Sequence, residues 1–572
     1  MPVTACSALN NHMPQKNVLS RAPILQCPYS SPVCGTIRTK DDRINRLYTK
    51  AQTYLSEPCL WEGLFRIACL IKRKPDEEPV FSRIQMGLAE TESGEFSGSV
   101  IDQISIARAA LSVFEYNTDR LILKRLAAWL RYLEIEFDRL VAQDNILYRP
   151  ADLMEFLIRY YNITGMKSVL RICTRIRASA FDWTTALHTF QQSIPIRKDE
   201  QIDDLPEINC RPEEIDYDTK EKLINHAEML ADGVRYTLFS GLFSGHSQDL
   251  SSGRTVWEYL AKHHKAICGG TTGYPFLCGC APDQPVSNNA LAAWTEAFAS
   301  QMLIKESEWA LEELIRIVFN GLSECLNHDE IAGFQRINTI QKSENKQLNM
   351  SRLYARMTRA AASAFSHAVT IMEKGIRINY LLPGKYLFMA EKKRVILNIE
   401  NNAAVFICKE SFAATVDFHI SRTGNDNVIM KNGDLQSVRK RENNDPPGGF
   451  YIRSEKNWNN GDGFTVHLNG NIISEDTHHQ GLCFYAGNRL MTVSADEKTY
   501  AFAVCQYPVI HEGEVFIGLS ETDKWPIRKN EPADIPVLPV CSGKGRTIKM
   551  IPYSENLCRI TMFPKAAGIC MK

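Results

Sequence analysis

The feature that most constrains this chain is a change of hydrophobic rhythm near Gly375. From about Asp41 to Lys374 the apolar residues recur at helical spacing. Leu123, Leu126, Leu130 and Leu133 share one face, with Lys124, Arg125 and Arg131 mostly off it. A helix, a short polar turn and a second amphipathic helix form a unit that recurs. EYNTDRLILKRLAAWL starts one at Glu115, YNITGMKSVLRICTRIR another at Tyr161, and LIKESEWALEELIRI a third at Leu303. About six such hairpins of roughly 45 residues or more imply an α/α toroid or α-solenoid. After Gly375 the period becomes two. IRINYLL, RVILNIE, AAVFICK, FTVHLNG and YAFAVCQYPVI are short β-rich runs divided by turn residues, which predicts an antiparallel sandwich. The expected architecture is mainly α plus β: an N-terminal arm over 1–40, an (α/α)6 barrel over 41–374 and a β-sandwich over 375–572. The arm, rich in Pro, Ser and Asn, is irregular or adds an edge strand.

Length and charge narrow the function classes. At 572 residues the chain is too long for one core. Lys+Arg and Asp+Glu both number 66, so nothing points to nucleic acid or an anionic membrane as partner. No apolar run approaches the roughly 20 residues needed to span a bilayer. The first residues, MPVTACSALNNHMPQKN, lack a basic flank followed by an apolar core. Seventeen cysteines, an odd number scattered through helical segments, fit reduced thiols and a cytoplasmic setting.

The richest segment for chemistry runs from His263 to Leu322. Two histidines end a helix, a Gly-rich loop carries Cys278-Gly279-Cys280 and Asp283, and an amphipathic helix pair follows. Reactive side chains gathered on a loop between helices point to the mouth of a cavity. Other segments add to the pattern: GEFSGSVIDQISIARAAL, NHAEMLADGVRYTLFSG with His226, and Tyr451-Ile452-Arg453 followed by Trp458 and Gly461-Asp462. IPYSENLCRITMFP, with Pro552, Tyr553, Arg559 and Met562, closes the series. In this order the motifs resemble those of the bacterial β-L-arabinofuranosidase-like glycoside hydrolases of family 127 type, from roughly Gly94 to Pro564. That resemblance implies the barrel-plus-sandwich fold, a small carbohydrate substrate and cleavage of a terminal, arabinofuranose-like sugar. It leaves a homodimer open.

The chain departs from the catalytic signature that the resemblance implies. In metal-dependent members, a glutamate acid, a Glu-x-Cys pair and a Cys-Cys pair surround zinc. The matching positions here are Cys278, Ala290-Leu291-Ala292 and Arg352-Leu353, with Arg359 on the family arginine just downstream. Ala, Leu and Arg cannot assemble a thiolate and carboxylate zinc site, so neither metal nor cofactor is expected. Cys268, Cys278 and Cys280, with His263 or His264, form the alternative zinc set; the rival reading is buried loop thiols.

Glycoside cleavage needs an acid and a base or nucleophile, usually two carboxylates. Asp283 and Glu95 are the candidate acids, with Cys278 a candidate nucleophile. For Asp283 the rival is a turn starter, and for Glu92 and Glu95 it is helix capping. His226, His264, Glu92, Cys280 and Arg359 are candidate sugar contacts. Asp182 and Trp183 offer a carboxylate beside a stacking platform, or else a capping aspartate beside a core tryptophan. Glu296 is expected behind the site. Two further functions stay open: a catalytically silent carbohydrate-binding or assembly protein, and a uronate-type lyase or isomerase working through His and Tyr.

Overall fold

The computed structural model describes residues 36–564 apart from 90–93, 95, 142–144, 197–207, 209–210, 282–283, 305–306, 329–330, 337–338, 340–348, 373–374, 401–402, 422–426, 432–448, 468–471, 478–480, 495–501, 512–513, 522–545 and 556–558. Twelve described helices build the first part. They are α1 (Asp42–Ala51), α2 (Trp61–Ile71), α3 (Pro79–Ala89), α4 (Val100–Asn117), α5 (Arg120–Ile135) and α6 (Ala151–Thr164). The series continues with α7 (Lys167–Ser179), α8 (Ala227–Ser244), α9 (Ser247–His263), α10 (Asn288–Ile304), α11 (Glu308–Arg316) and α12 (Met350–Ala368). Shorter helices, such as Trp183–His188 and Tyr217–Asn225, lie between them.

The even-numbered helices form the inner ring. α2 packs on α4, α4 on α6, α6 on α8, α8 on α10, α10 on α12, and α12 returns to α2. The odd-numbered helices lie outside, each against the inner helix that precedes or follows it. Burial separates the two sets. The outer α5 buries one stripe, Ile122, Leu126, Trp129, Leu130 and Leu133. The inner α8 and α12 are buried on every side along most of their length, as a helix enclosed by neighbours must be.

The hairpin turns have a local cause. α4 ends on Thr118, in the left-handed region at φ 58°, and Asp119 then accepts the Leu121 amide to cap α5. α6 ends on Gly165 at φ 67°, where the missing Cβ removes the steric penalty. Ring closure requires a second small residue. A Cβ on Gly63 of α2 would lie 2.8 Å from Thr358 Cβ and 3.0 Å from the Arg359 amide of α12. The first and last inner helices therefore meet backbone to backbone.

Within the barrel region β2 (Pro285–Ser287) pairs with β3 (Phe334–Arg336), and after α12 strand pairing begins at Val369, six residues ahead of the expected start at Gly375. Ten strands make a sandwich: β4 (Val369–Met372), β5 (Gly375–Ile378), β9 (Phe412–Ile420) and β11 (Phe450–Trp458) form one sheet. The facing sheet holds β6 (Gly384–Ala390), β7 (Lys393–Glu400), β8 (Ala403–Ile407), β10 (Asn427–Lys431) and β12 (Gly463–His467). Its edge is β1, Ile37–Arg38, paired with β6; this is the edge strand that the arm was expected to supply. Phe388, Phe406, Phe412, Trp458 and Phe464 interlock between the sheets. β5 and β9 run parallel, an exception to the expected antiparallel pattern. A further sheet, from β13 (Ile472–Asp476) to β20 (Phe563–Pro564), has its own core around Phe484, Ile517, Leu519 and Phe563. No helix among the described residues is long and apolar enough to cross a membrane.

Replacing Gly63 by Ala should cost about 1–3 kcal/mol, because the α2–α12 seam must open. Chemical denaturation should show a lowered midpoint, while Gly165→Asn, which keeps the left-handed turn accessible, should shift it far less.

Candidate active site in the barrel lumen

Three inner helices carry charged residues at helical spacing on otherwise apolar sequences. α8 has Glu228, Asp232 and Arg235; α12 has Arg352, Arg356 and Arg359; α6 has Asp152, Glu155 and Arg159. Intervals of three or four residues place each set on one face, and in the ring that face is the lumen. The signs are complementary. Glu228 accepts from Arg149 at 2.6 Å, Arg352 at 3.0 Å and Arg356 at 2.9 Å. Asp232 takes Arg356 at 2.5 Å. Glu296 of α10 takes Arg235 at 3.2 Å, Arg356 at 3.3 Å and Arg359 at 3.1 Å.

Farther in, Asp152 binds Arg108 at 2.6 Å, Arg359 at 3.1 Å and Arg235. Glu62 of α2 takes Arg108 at 2.6 Å, Arg159 at 3.2 Å and Arg66 at 3.9 Å. Glu155 pairs with Arg108, and Glu115 with Arg159. Every inner helix contributes at least one charge to this lattice.

Five of the carboxylates are held ionised. Burial pushes the pKa of Glu228 up, but Arg352, Arg149 and Arg356 outweigh it and hold the group well below its usual range. Burial likewise opposes ionisation of Asp152, and Arg108, Arg359 and Arg235 overcome it. Asp232, Glu155 and Glu62 are lowered against burial in the same way. A carboxyl that donates a proton in glycoside cleavage needs the opposite shift. Parts of the lattice still reach solvent. Asp152 retains 30% of its side-chain surface, Arg149 25% and Arg352 35%. The Nε atoms of Arg235 and Arg359 are buried and meet no acceptor among the described residues.

The rim is the loop between α9 and α10. His264 is fully buried and fastens it: one ring nitrogen meets the Gln192 carbonyl at 2.7 Å, and the other accepts the Gly279 amide at 3.1 Å. Burial lowers its pKa to about 4, so it staples the loop as a neutral imidazole. His226 sits where the helix Tyr217–Asn225 meets α8. Its Nδ1 accepts the Met229 amide at 3.4 Å, and its ring stands edge-on to Phe276. The further sheet, β13 to β20, clamps the same loop. Tyr485 donates to the Ile267 carbonyl at 2.8 Å. A π-helical turn, Ile317–Gly321, aims Asn320 at the Leu490 amide, 2.7 Å away.

The expected site residues separate into groups. Asp283, Glu92 and Glu95 lie outside the described residues. Arg359 is in the lattice, with Glu296 beside it. Cys278 is buried, its thiol 3.8 Å from the Pro285 carbonyl. Cys268 and Cys280 are pushed up to about 12 by burial. Among the described residues, no three His, Cys, Asp or Glu side chains converge as a metal site. Asp182 and Trp183 follow the second of their two readings. Asp182 caps the helix Trp183–His188 by accepting the Thr185 amide at 3.0 Å. Trp183 is 1% exposed and donates to the Tyr148 carbonyl at 3.0 Å, so it offers no face to a sugar. Positions matching the zinc signature are filled by structure: Ala290, Leu291 and Ala292 are core, and Arg352 stands in the lattice. The lattice itself was missed, although its i, i+4, i+7 charge pattern in apolar helices was visible.

No family model matches the chain, and no curated protein matches it. Among solved structures it is similar to a protein described as a glycoside hydrolase, at 11% identity over 94% of this chain and 98% of that one, TM-score 0.68. It is also similar to a GH127 beta-L-arabinofuranosidase from Geobacillus stearothermophilus T6, at 13% identity, 91% of both chains and TM-score 0.63. A GH127 beta-arabinofuranosidase gives 12% identity, 95% and 98% coverage and TM-score 0.62. The chain therefore has a GH127-like fold.

Two outcomes follow for stability. Arg356→Met, which strips a partner from Glu228, Asp232 and Glu296, should destabilise the protein by about 3–5 kcal/mol in urea titrations. Acid should weaken the fold in two stages. Buried His264 and His367 both have pKa values lowered to about 4. Their contribution is complete above the unfolded value near 6.5 and fades as pH falls from there toward 4. The depressed carboxylates extend the loss below about pH 4. Urea midpoints at pH 7.5, 5.5 and 4 should fall monotonically; a midpoint that rises on acidification contradicts this assignment.

Proposed function

We propose that the protein binds the terminal sugar of a small glycoside or oligosaccharide in the mouth of the helical ring, with the ion lattice as a rigid polar floor. One observation carries this proposal: within a glycosidase-like fold, an ion lattice on the inner helices keeps solvent-accessible surface at Asp152, Arg149 and Arg352, and its described carboxylates are each committed to arginines. Such a surface offers fixed donors and acceptors to sugar hydroxyls. None of the carboxyls with a resolved shift is poised to protonate a leaving oxygen at neutral pH. The family's zinc and cysteine chemistry has no counterpart at Cys278, Ala290-Leu291-Ala292 or Arg352-Leu353.

A second reading, hydrolysis of a terminal, arabinofuranose-like sugar, is favoured by the solved structures named as glycosidases. In this reading the acid comes from outside the lattice. Glu92 and Glu95 precede α4 in sequence, and Asp283 belongs to the rim loop. Cys278 is the remaining nucleophile candidate, activated only if a base lowers its pKa.

One experiment separates the two. Nitrophenyl furanosides and pyranosides are assayed for hydrolysis, and the same glycosides are titrated calorimetrically, with wild type and with Asp283→Ala, Glu95→Gln and Cys278→Ala. Saturable binding without turnover is the expected result. Turnover that drops at least 100-fold in Asp283→Ala or Glu95→Gln would establish the hydrolase instead. Absence of both binding and turnover across the panel would remove the saccharide assignment.

A further inference from the structure

Beside the rim lies a cavity of about 310 Å³, and none of its lining residues belongs to the ion lattice. One wall is the short helix Tyr217–Asn225. Asp218, Glu221, Lys222 and Asn225 fall there at i, i+3, i+4 and i+7, on a single face. Gln192, Ile196 and Phe276 of the rim loop complete the lining. Main-chain contacts hold these pieces together. The Leu277 amide donates to the Asn225 carbonyl at 3.1 Å, and the Ile196 amide donates to the Leu277 carbonyl at 3.0 Å. The Gln192 carbonyl meets the His264 ring at 2.7 Å. The shape is therefore set by the backbone.

Polarity is graded across the lining. Asp218 and Glu221 are exposed, Lys222 is half-buried, and Asn225 and Phe276 are buried. Among the described residues, Asp218, Glu221 and Lys222 enter no ion pair. Asn225 is 3% exposed, and its Oδ1 is buried with no hydrogen-bond partner among the described residues. Folded proteins rarely leave a buried acceptor unmet, because it has given up water without a replacement. This orphan belongs to a residue of the cavity wall, so a donor entering the cavity is the available replacement.

The side chains select hydroxyls. Two free carboxylates and an amide oxygen accept, while Lys222 donates. A hydroxyl does both, so a polyol can answer all four groups together. A cation would face Lys222, and an anion would face Asp218 and Glu221. Phe276 and Ile196 add apolar surface suited to a ring with a C–H face, and the volume is at the small end of small-molecule sites. We propose that this cavity is a second saccharide site, separate from the ion lattice. It takes one neutral sugar ring, with hydroxyls on Asp218, Glu221 and Asn225 and the C–H face toward Ile196 and Phe276. Its occupancy does not depend on a sugar in the barrel mouth.

The test follows the Ile196 δ1 methyl by NMR in the full chain labelled at isoleucine methyls, with the signal identified by its loss in Ile196→Val. The probes are the methyl glycosides of arabinofuranose, galactose, glucose and xylose, with putrescine as cation and sodium acetate as anion. At least one glycoside is expected to shift this signal saturably. Asp218→Asn and Glu221→Gln, at exposed positions where the fold tolerates change, should each weaken that glycoside at least fivefold. Asn225→Leu keeps the shape of the amide without its acceptor. It should weaken binding as strongly while leaving the thermal midpoint unchanged or raised.

No saturable shift with any glycoside would overturn the site. A shift produced by putrescine or acetate and by no glycoside would overturn the ligand class. A glycoside shift that survives both carboxylate substitutions would overturn the assignment to Asp218 and Glu221. Retained binding with a lowered midpoint in Asn225→Leu would show a structural amide and overturn its place in the site.

Discussion

A ring of six inner helices holds side chains largely out of water, and any charge there must be answered by an opposite one at hydrogen-bond distance. The rest of this structure depends on that requirement. The cost of burying a lone guanidinium or carboxylate is several kcal/mol, so each lumen charge fixes where its partner's helix must stand. Glu62 ties α2 to α4 and α6, Asp152 ties α6 to α4, α8 and α12, and Glu296 ties α10 to α8 and α12. The close α2–α12 seam at Gly63 brings Arg359 within reach of both Asp152 and Glu296. Hydrophobic packing between inner and outer helices supplies the bulk of stability, while the lattice specifies the register of the inner ring. That division of labour explains why helices as apolar as α8 and α12 tolerate three charges each.

The architecture was legible because its signals are local. Helical hairpins are marked by turn chemistry at Thr118-Asp119 and Gly165, and strands by alternation in Lys393–Glu400, where every second residue is buried. What escaped was non-local or ambiguous. Val369–Met372 continues the apolar run of α12, so nothing in the sequence announces the strand before Gly375. The parallel β5–β9 pairing joins segments some forty residues apart; alternation reveals a strand and not its partner. The separate core around Phe484 and Phe563 is likewise a matter of pairing.

The site was less legible, for a different reason. Charges on helices are ordinarily solvated, and Arg352, Arg356 and Arg359 look like an exposed stripe until the ring is closed. Only the absence of any other polar face on α8 and α12 distinguishes a lumen from a surface. The motifs that carried the family resemblance meet structural demands. Arg453 grips Asp417 at 2.8 and 2.9 Å, Trp458 anchors on the Ala414 carbonyl, and Arg559 covers the Tyr553 ring while reaching Glu324. The first two contacts hold the sandwich together and the third holds the further sheet against the barrel, so the likeness speaks for the fold.

The ion lattice constrains any chemistry the protein could perform. Glu62, Asp152, Glu155, Glu228 and Asp232, held low by their arginines, keep their negative charge through the whole neutral range, and protonating one would leave those arginines unanswered. The lattice can position, orient and exclude, but it cannot give up a proton without breaking itself. An acid for glycoside cleavage would therefore have to stand apart from these arginines. Binding faces no such conflict. Rigid, pre-oriented guanidinium groups lose little freedom when a ligand arrives, and the same lattice that forbids proton donation makes the mouth a fixed template.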